Sequence, residues 1–326
     1  MSITLQEFLA EWNSSADTVS VQTSGSTGTP KVLLVEKKRM LASAKLTCDF
    51  LGLKAGDTAL LCMSLQHIGA KMVVVRSIER GLNLQVVEPS GHPLRSIEKV
   101  PDFAAMVPLQ VYNSLQDAQE KEKLRNIKHL IIGGGAVSPT MVDELRQFPN
   151  GVWSSYGMTE TLSHIALRRL SGPSASEWYL PFKGISVHTN KEQCLCIKAP
   201  MLCTNELVTN DIAEVRGDGS FRILGRKDNI INSGGVKIQI ESVEEMLYEQ
   251  GLRNFAISSY PDDKFGEIVV LLTTQANNIE INRLPKYWQP KRILTIKEIP
   301  LTGNGKIARR QVKELVHSLM KKETTV

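Results

Sequence analysis

Between Val21 and Val32 the chain reads Thr23-Ser24-Gly25-Ser26-Thr27-Gly28-Thr29-Pro30-Lys31. Hydroxyls, glycines and one lysine are gathered into a stretch that neither a helix nor a strand favours. Glycine lets backbone N–H groups approach an anion closely, hydroxyls add donors, and lysine adds a point charge. That set suits a polyphosphate. Val19 and Val21 lead in and the apolar run 32–35 leads out, so the expected frame is strand–loop–strand. The G-x-x-x-x-G-K-[ST] spacing of a P-loop is absent.

Four further motifs follow in order: Tyr156-Gly157-Met158-Thr159-Glu160, Thr209-Asn210-Asp211, the run 225–235 (GRKDNIINSGG), and the run 300–307 (PLTGNGKI). Together with the first loop they resemble the adenylate-forming superfamily of acyl-CoA synthetases, peptide-synthetase adenylation domains and luciferases. The resemblance runs from about residue 20 to about residue 312. It implies a two-step reaction in which a carboxylate attacks the α-phosphate of ATP and a thiol then displaces AMP. Thr23, Ser24, Ser26, Thr27, Gly28 and Lys31 would hold the polyphosphate. Glu160 would bind Mg²⁺, whose hard character suits oxygen ligands. Thr159 would bond the α-phosphate. Tyr156 would stack on adenine, with Gly133, Gly134 and Gly135 on the other side of the base. Asp211 would accept from both ribose hydroxyls, and Arg226 would contact ribose or phosphates. Lys306 would bridge the acid and the α-phosphate in the transition state, an electrostatic role. Asp228 would be the hinge about which a small domain rotates, and Gly234 and Gly235 would flank the CoA channel. Asn210 and Asn229 stand where the family often has Gly and Asp.

The stretch 154–164 (SSYGMTETLSH) and Leu65-Gln66-His67-Ile68-Gly69-Ala70-Lys71, continuing to Arg76, look most like the o-succinylbenzoate–CoA ligases of menaquinone synthesis. On that resemblance His67 contacts the aromatic acid and Arg76 pairs with its second carboxylate, which a planar guanidinium suits. Other readings are a ligase for another aryl or medium-chain acid, an adenylation domain loading a carrier thiol, and a catalytically silent nucleotide-binding module.

These residues need a scaffold. From 40 to 155, helical stretches (38–51, 69–80, 108–123, 139–147) alternate with short apolar strands (58–63, 84–87, 127–132, 151–155). That alternation predicts an α/β fold with a doubly wound, mostly parallel sheet, whose ligands lie beyond the carboxyl ends of the strands. Gly133 and Tyr156 both fall at such ends. After Pro173 short strands at 184–188, 193–198, 212–215 and 220–224 predict a small β subdomain, with a hairpin signal at Gly217-Asp218-Gly219. A compact α+β unit follows, with helices at 241–249 and 309–320. The expected domains are 1–225 for ATP and acid, a hinge at 226–229, and a mobile domain at 230–326 carrying Lys306. Most relatives carry a long region before the phosphate loop, so the fold reads as N-terminally shortened: its strands either close their sheet differently or leave an edge that a homo-oligomer would cover.

Composition sets limits. With 326 residues, 42% hydrophobic and 22% charged, the chain is an ordinary globular protein of about two domains. A net charge of +5 without a basic run interleaved with aromatics gives no reason to expect nucleic-acid binding. No apolar run reaches the roughly 20 residues that span a bilayer. Five cysteines, 48, 62, 194, 196 and 203, fit no disulfide framework, which suggests reduced thiols and a cytoplasmic setting. Cys194 and Cys196 read as alternate residues on one strand face rather than as a metal pair, since no histidine is close to them in sequence.

Overall fold

Thr4 starts the first helix, α1 (Leu5–Asn13), by a capping box: its hydroxyl accepts from the Glu7 N–H and the Glu7 carboxylate accepts from the Thr4 N–H. Phe8 and Trp12 are the buried face. This helix was not expected from sequence. In the computed structural model the residues described are 3–22, 32–275, 281–302 and 307–323. The chain divides into two compact units: Met1–His188, Cys196–Val208 and Val215–Arg222 in one; Thr189–Leu195, Thr209–Glu214 and Ile223–Val326 in the other.

In the first unit, β1 (Thr18–Gln22) and β2 (Val32–Glu36) pair antiparallel, with Gln22 opposite Val32. The expected strand–loop–strand frame is therefore present, and the ends of the loop are adjacent. Glu11 Oε1 accepts from the N–H and hydroxyl of Ser20 at 2.7 and 2.9 Å, which ties α1 to β1. Helix α2 (Lys37–Leu51) leads to β3 (Thr58–Leu61), and α3 (Ile68–Arg80) to β4 (Asn83–Val86). Next come β5 (Phe103–Met106), α4 (Pro108–Gln116), α5 (Ala118–Asn126), β6 (His129–Ile132), α6 (Pro139–Leu145) and β7 (Gly151–Gly157). β8 (His164–Arg169) and β9 (Leu180–Pro181) complete a seven-stranded sheet in the order β4-β3-β5-β6-β7-β8-β9. The first five strands of that order run parallel, and β8 and β9 add antiparallel. The single helix expected at 108–123 is two: Asp117 breaks it and caps α5, accepting from the N–H groups of Gln119 and Glu120.

Alternation along the strands builds the core. Ala59, Leu61, Phe103, Ala105 and Ile131 pack with α1, α2 and α3 on one face. Leu60, Cys62, Ala104, Met106, Leu130 and Ile132 pack with α4, α5 and α6 on the other. A sheet covered on both faces is what a doubly wound fold requires. A smaller sheet has the order β10 (Ser186–Thr189), β11 (Cys194–Lys198), β12 (Leu207–Val215), β13 (Phe221–Arg226). Gly219, at φ 83°, makes the turn before β13.

In the second unit β14 (Ile230–Ser233) and β15 (Val236–Gln239) form a hairpin that leads into α7 (Ile240–Glu249). β16 (Phe255–Asp262), β17 (Gly266–Thr273) and β18 (Arg292–Thr295) join the same sheet, and α8 (Arg309–Glu323) ends the chain's described part. Ile257, Val269 and Leu271 pack with α7, and Ala256, Val270 and Leu272 with α8. Arg309 reaches from the start of α8 to both oxygens of Glu244 in α7, at 2.7 and 2.6 Å. No helix among the described residues is long and apolar enough to cross a membrane.

Candidate active site

Two parallel strands deliver the first cluster. Gly133, Gly134 and Gly135 follow the carboxyl end of β6, and Tyr156 ends the neighbouring β7, with Ile132 paired to Ser154. A Cβ on Gly133 would stand 2.6 Å from Ser155 Oγ, so glycine permits the close approach, and Gly134 has φ 77°. Tyr156 is half-buried, its ring 5.2 Å from Phe221 and 5.8 Å from Tyr179. Gly157 admits no side chain, because a Cβ would meet Ser163 O at 2.3 Å. The register shifts there, and the chain turns into a 3₁₀ turn, Thr159–Thr161. Thr159 is half-buried and Glu160 exposed.

The end of this turn is strained. Ser163 N–H donates to Thr161 O at 2.8 Å and Leu162 takes φ 66°, a γ-turn that a branched side chain rarely adopts. It aims Ser163 at α3. Arg76, only 1% exposed, donates from Nη2 to Ser163 Oγ at 2.9 Å, while its Nε has no partner. Ser163 Oγ is 3.2 Å from His164 Nδ1, and His164 Nε2 is 3.1 Å from Thr47 Oγ1 of α2. Burial draws the Arg76 guanidinium down to about 10 and pushes the Cys48 thiol beside it up to about 11. Burial, then the charge of Arg76, hold the His164 imidazole well below its ordinary range. Thiol and imidazole are thus neutral near pH 7, and among the described residues no carboxylate is hydrogen-bonded to or ion-paired with Arg76. A buried cation without a counterion is costly. His67 stands exposed at the N-cap of α3, its side chain making no cap bond.

The second unit holds an exposed ion network. Arg226 Nη1 donates to Asp211 Oδ1 at 3.0 Å, and its Nη2 to Asp228 Oδ2 at 2.8 Å. Asn210 Nδ2 lies 3.3 Å from both oxygens of Asp228. Asp211 is on β12, Arg226 ends β13, and Asp228 lies in the 3₁₀ turn Lys227–Asn229. Gln239 Nε2 donates to Arg226 O at 2.9 Å, over Gly225, where a Cβ would clash with it. Gly234 and Gly235, at φ 58° and 82°, form the two-residue turn between β14 and β15, where both central residues need positive φ.

Thr23, Ser24, Ser26, Thr27, Gly28, Lys31 and Lys306 lie outside the described residues. Leu301 and Ile307 form an antiparallel bridge, and Ala308 N–H donates to Pro300 O at 2.9 Å. Sequence reasoning missed Thr47, Ser163 and His164 as neighbours of Arg76. The available signal was a Ser-His pair just ahead of the apolar residues Ile165, Ala166 and Leu167 of β8.

The family model described as AMP-binding enzyme matches residues 6–190. The 2-succinylbenzoate–CoA ligase of Staphylococcus epidermidis is 26% identical over 325 residues, covering 89% of this chain and 68% of that protein. The Listeria monocytogenes enzyme of the same name is 25% identical over 338 residues, covering 94% and 72%. Among solved structures, an acyl-CoA synthetase (AMP-forming)/AMP-acid ligase II-like protein from Dyadobacter fermentans is 33% identical with a TM-score of 0.66, covering 94% of this chain and 91% of that one. The o-succinylbenzoate coenzyme A synthetase of Bacillus subtilis, in complex with ATP and magnesium ion, shares the fold at 21% identity and a TM-score of 0.72, covering 90% and 69%. The chain thus spans nine-tenths of the Dyadobacter protein and about seven-tenths of the length of the ligases it matches.

Proposed function

We propose that this chain, which belongs to the AMP-binding enzyme family, is an AMP-forming acid–CoA ligase whose acid is o-succinylbenzoate, making o-succinylbenzoyl-CoA for menaquinone synthesis. The observation that carries the substrate is Arg76: a guanidinium buried in the first unit with one hydroxyl partner, an unpartnered Nε and, among the described residues, no carboxylate paired with it. An acid with two carboxylates brings the missing counterion on the group that is not activated, and a guanidinium can take it in two bonds. The same chemistry gives a simple mono-acid no such partner. The likeness to the 2-succinylbenzoate–CoA ligases points the same way.

ATP, Mg²⁺ and CoA are the other reactants. Glu160, exposed in its turn, is suited to hold Mg²⁺ directly or through water, and Thr159 to bond the α-phosphate. Tyr156 offers an aromatic face for adenine, beside the glycines after β6. Asp211, a carboxylate with several acceptor lone pairs, suits a pair of ribose hydroxyls. The loop 23–31 would hold the β- and γ-phosphates. Lys306 would neutralise charge where the acid's oxygen meets the α-phosphate. Rotation about Asp228 would then bring Gly234 and Gly235 to the thiol, the kind of gating that often limits turnover.

Mass spectrometry after incubation with Mg-ATP, CoA and o-succinylbenzoate, beside a panel of benzoates and fatty acids, tests the reading. The expected product is the o-succinylbenzoate thioester, formed far better than any other. Preference for a different acid would retain the reaction and discard the substrate; ATP binding without pyrophosphate release would discard the reaction. Lys306→Ala should slow adenylation by on the order of 10²–10³ and spare thioester formation from supplied acyl-adenylate. Equal loss of both steps would contradict its role.

A further inference from the structure

Apart from the residues named so far, three metal-ligating side chains of different kinds converge in the first unit. They are His188 of β10, Cys196 of β11 and Glu206, which stands just before β12. One ligand atom from each lies within 4.8 Å of the other two. His188 Nε2 is 3.6 Å from Glu206 Oε1, while Lys198 Nζ holds Glu206 Oε2 at 3.1 Å. The thiol is buried at 2% exposure, and the imidazole and carboxylate stand at the surface above it. None of the five cysteines is in a disulfide.

We propose that His188, Cys196 and Glu206 form a binding site for a borderline-soft divalent cation, zinc in the first place, separate from the Mg²⁺ that accompanies ATP. The donor set decides the metal. Thiolate and imidazole select zinc-like ions, whereas magnesium demands oxygen ligands in an octahedron. Ligands of a tetrahedral zinc, at about 2.0–2.3 Å from the ion, stand roughly 3.3–3.7 Å apart. Small rotations of the two exposed side chains supply the remaining closure, and the buried thiol need not move. Lys198 does for Glu206 what a partner behind the ligand commonly does: it fixes the carboxylate and leaves the other oxygen turned to the ion. Three protein ligands leave the fourth position to water. The Cys196 thiol gives up its proton on binding, and the bound ion clamps β10, β11 and the segment before β12 together. Sequence alone hid the site, because His188 and Glu206 stand eight and ten residues from Cys196 on either side.

The test uses the full chain, stripped of metal by chelator and titrated with zinc alone against a chromophoric competitor, then with cobalt. The expected results are one zinc per chain, a thiolate-to-cobalt charge-transfer band, and a rise in thermal midpoint with zinc. Cys196→Ser should remove the band and weaken zinc at least about 100-fold, while Cys194→Ser changes neither. His188→Ala and Glu206→Gln replace exposed side chains, so the fold should stand, and each should weaken zinc by about 10- to 100-fold. No charge-transfer band in the wild type, or zinc affinity unmoved by His188→Ala and Glu206→Gln, would overturn the assignment.

Discussion

Arg76 and Arg226 are the same residue in opposite settings. Arg76 is buried among neutral groups, with Ser163 as its hydrogen-bond partner and His164 and Cys48 uncharged beside it. Arg226 lies half in solvent between two carboxylates, Asp211 and Asp228, its charge compensated twice over. The difference is energetic. An exposed ion network is worth less than about 1 kcal/mol per pair and can be broken and remade cheaply, which would suit the hinge proposed at Asp228. A buried cation with no counterion weakens the empty protein and strengthens whatever anion arrives. On the proposed function, the first setting serves selection and the second exchange.

Removing the buried cation should have the largest effect. Arg76→Met should lower kcat/KM for o-succinylbenzoate by about 10²–10³, the loss expected when a buried charge partner is truncated. The urea midpoint should not fall, since the substitution removes an uncompensated charge from the core. A large loss of stability with activity intact would reverse the contrast. Asp211→Asn, in the exposed network, should raise the KM for ATP about 10- to 100-fold, the worth of charge-assisted hydrogen bonds. Its change in unfolding free energy should stay under about 1 kcal/mol.

The pH dependence of stability separates the two regions again. Burial and Arg76 keep His164 neutral in the folded chain. The unfolded state takes up a proton near pH 6.5 that the folded state refuses. Stability should therefore be flat above that pH and fall as pH drops below it, by up to about 1.4 kcal/mol per pH unit from this one group. His164→Gln should flatten that slope in denaturant titrations at pH 7.5, 6 and 5; an unchanged slope would mean the imidazole is charged in the fold. The smallest effect expected is at Asp228. Asp228→Pro, which fixes φ in the 3₁₀ turn, should slow thioester formation several-fold more than adenylation in single-turnover assays. Equal slowing would argue against a hinge there.

The two regions also differed in how readable they were. Asp211, Arg226 and Asp228 sit in two recognisable motifs on the neighbouring strands β12 and β13 and the turn after them, so the motifs alone pointed to each residue. The cluster at Arg76 joins α2, α3 and the head of β8, and only the tertiary fold brings Thr47, Arg76 and His164 together. The alternation of helices and strands was legible because apolar runs separate cleanly. Helix α1 was missed although Thr4 and Glu7 spell a capping box, because its nine residues bury only Phe8 and Trp12. β5 was missed because Phe103–Met106 is four residues long and buried on both faces, which leaves no alternation to read. The break at Asp117 was hidden by helix-favouring residues on both sides of a single cap.

The most direct measurement compares kcat/KM for o-succinylbenzoate with that of the better of its two analogues lacking one carboxylate, in wild type and in Arg76→Met. The account predicts discrimination of at least about 100-fold in the wild type, collapsing below about 10-fold in the variant, with most of the change on the diacid. Equal preference for diacid and mono-acid in the wild type, or discrimination that survives the loss of Arg76, would contradict it.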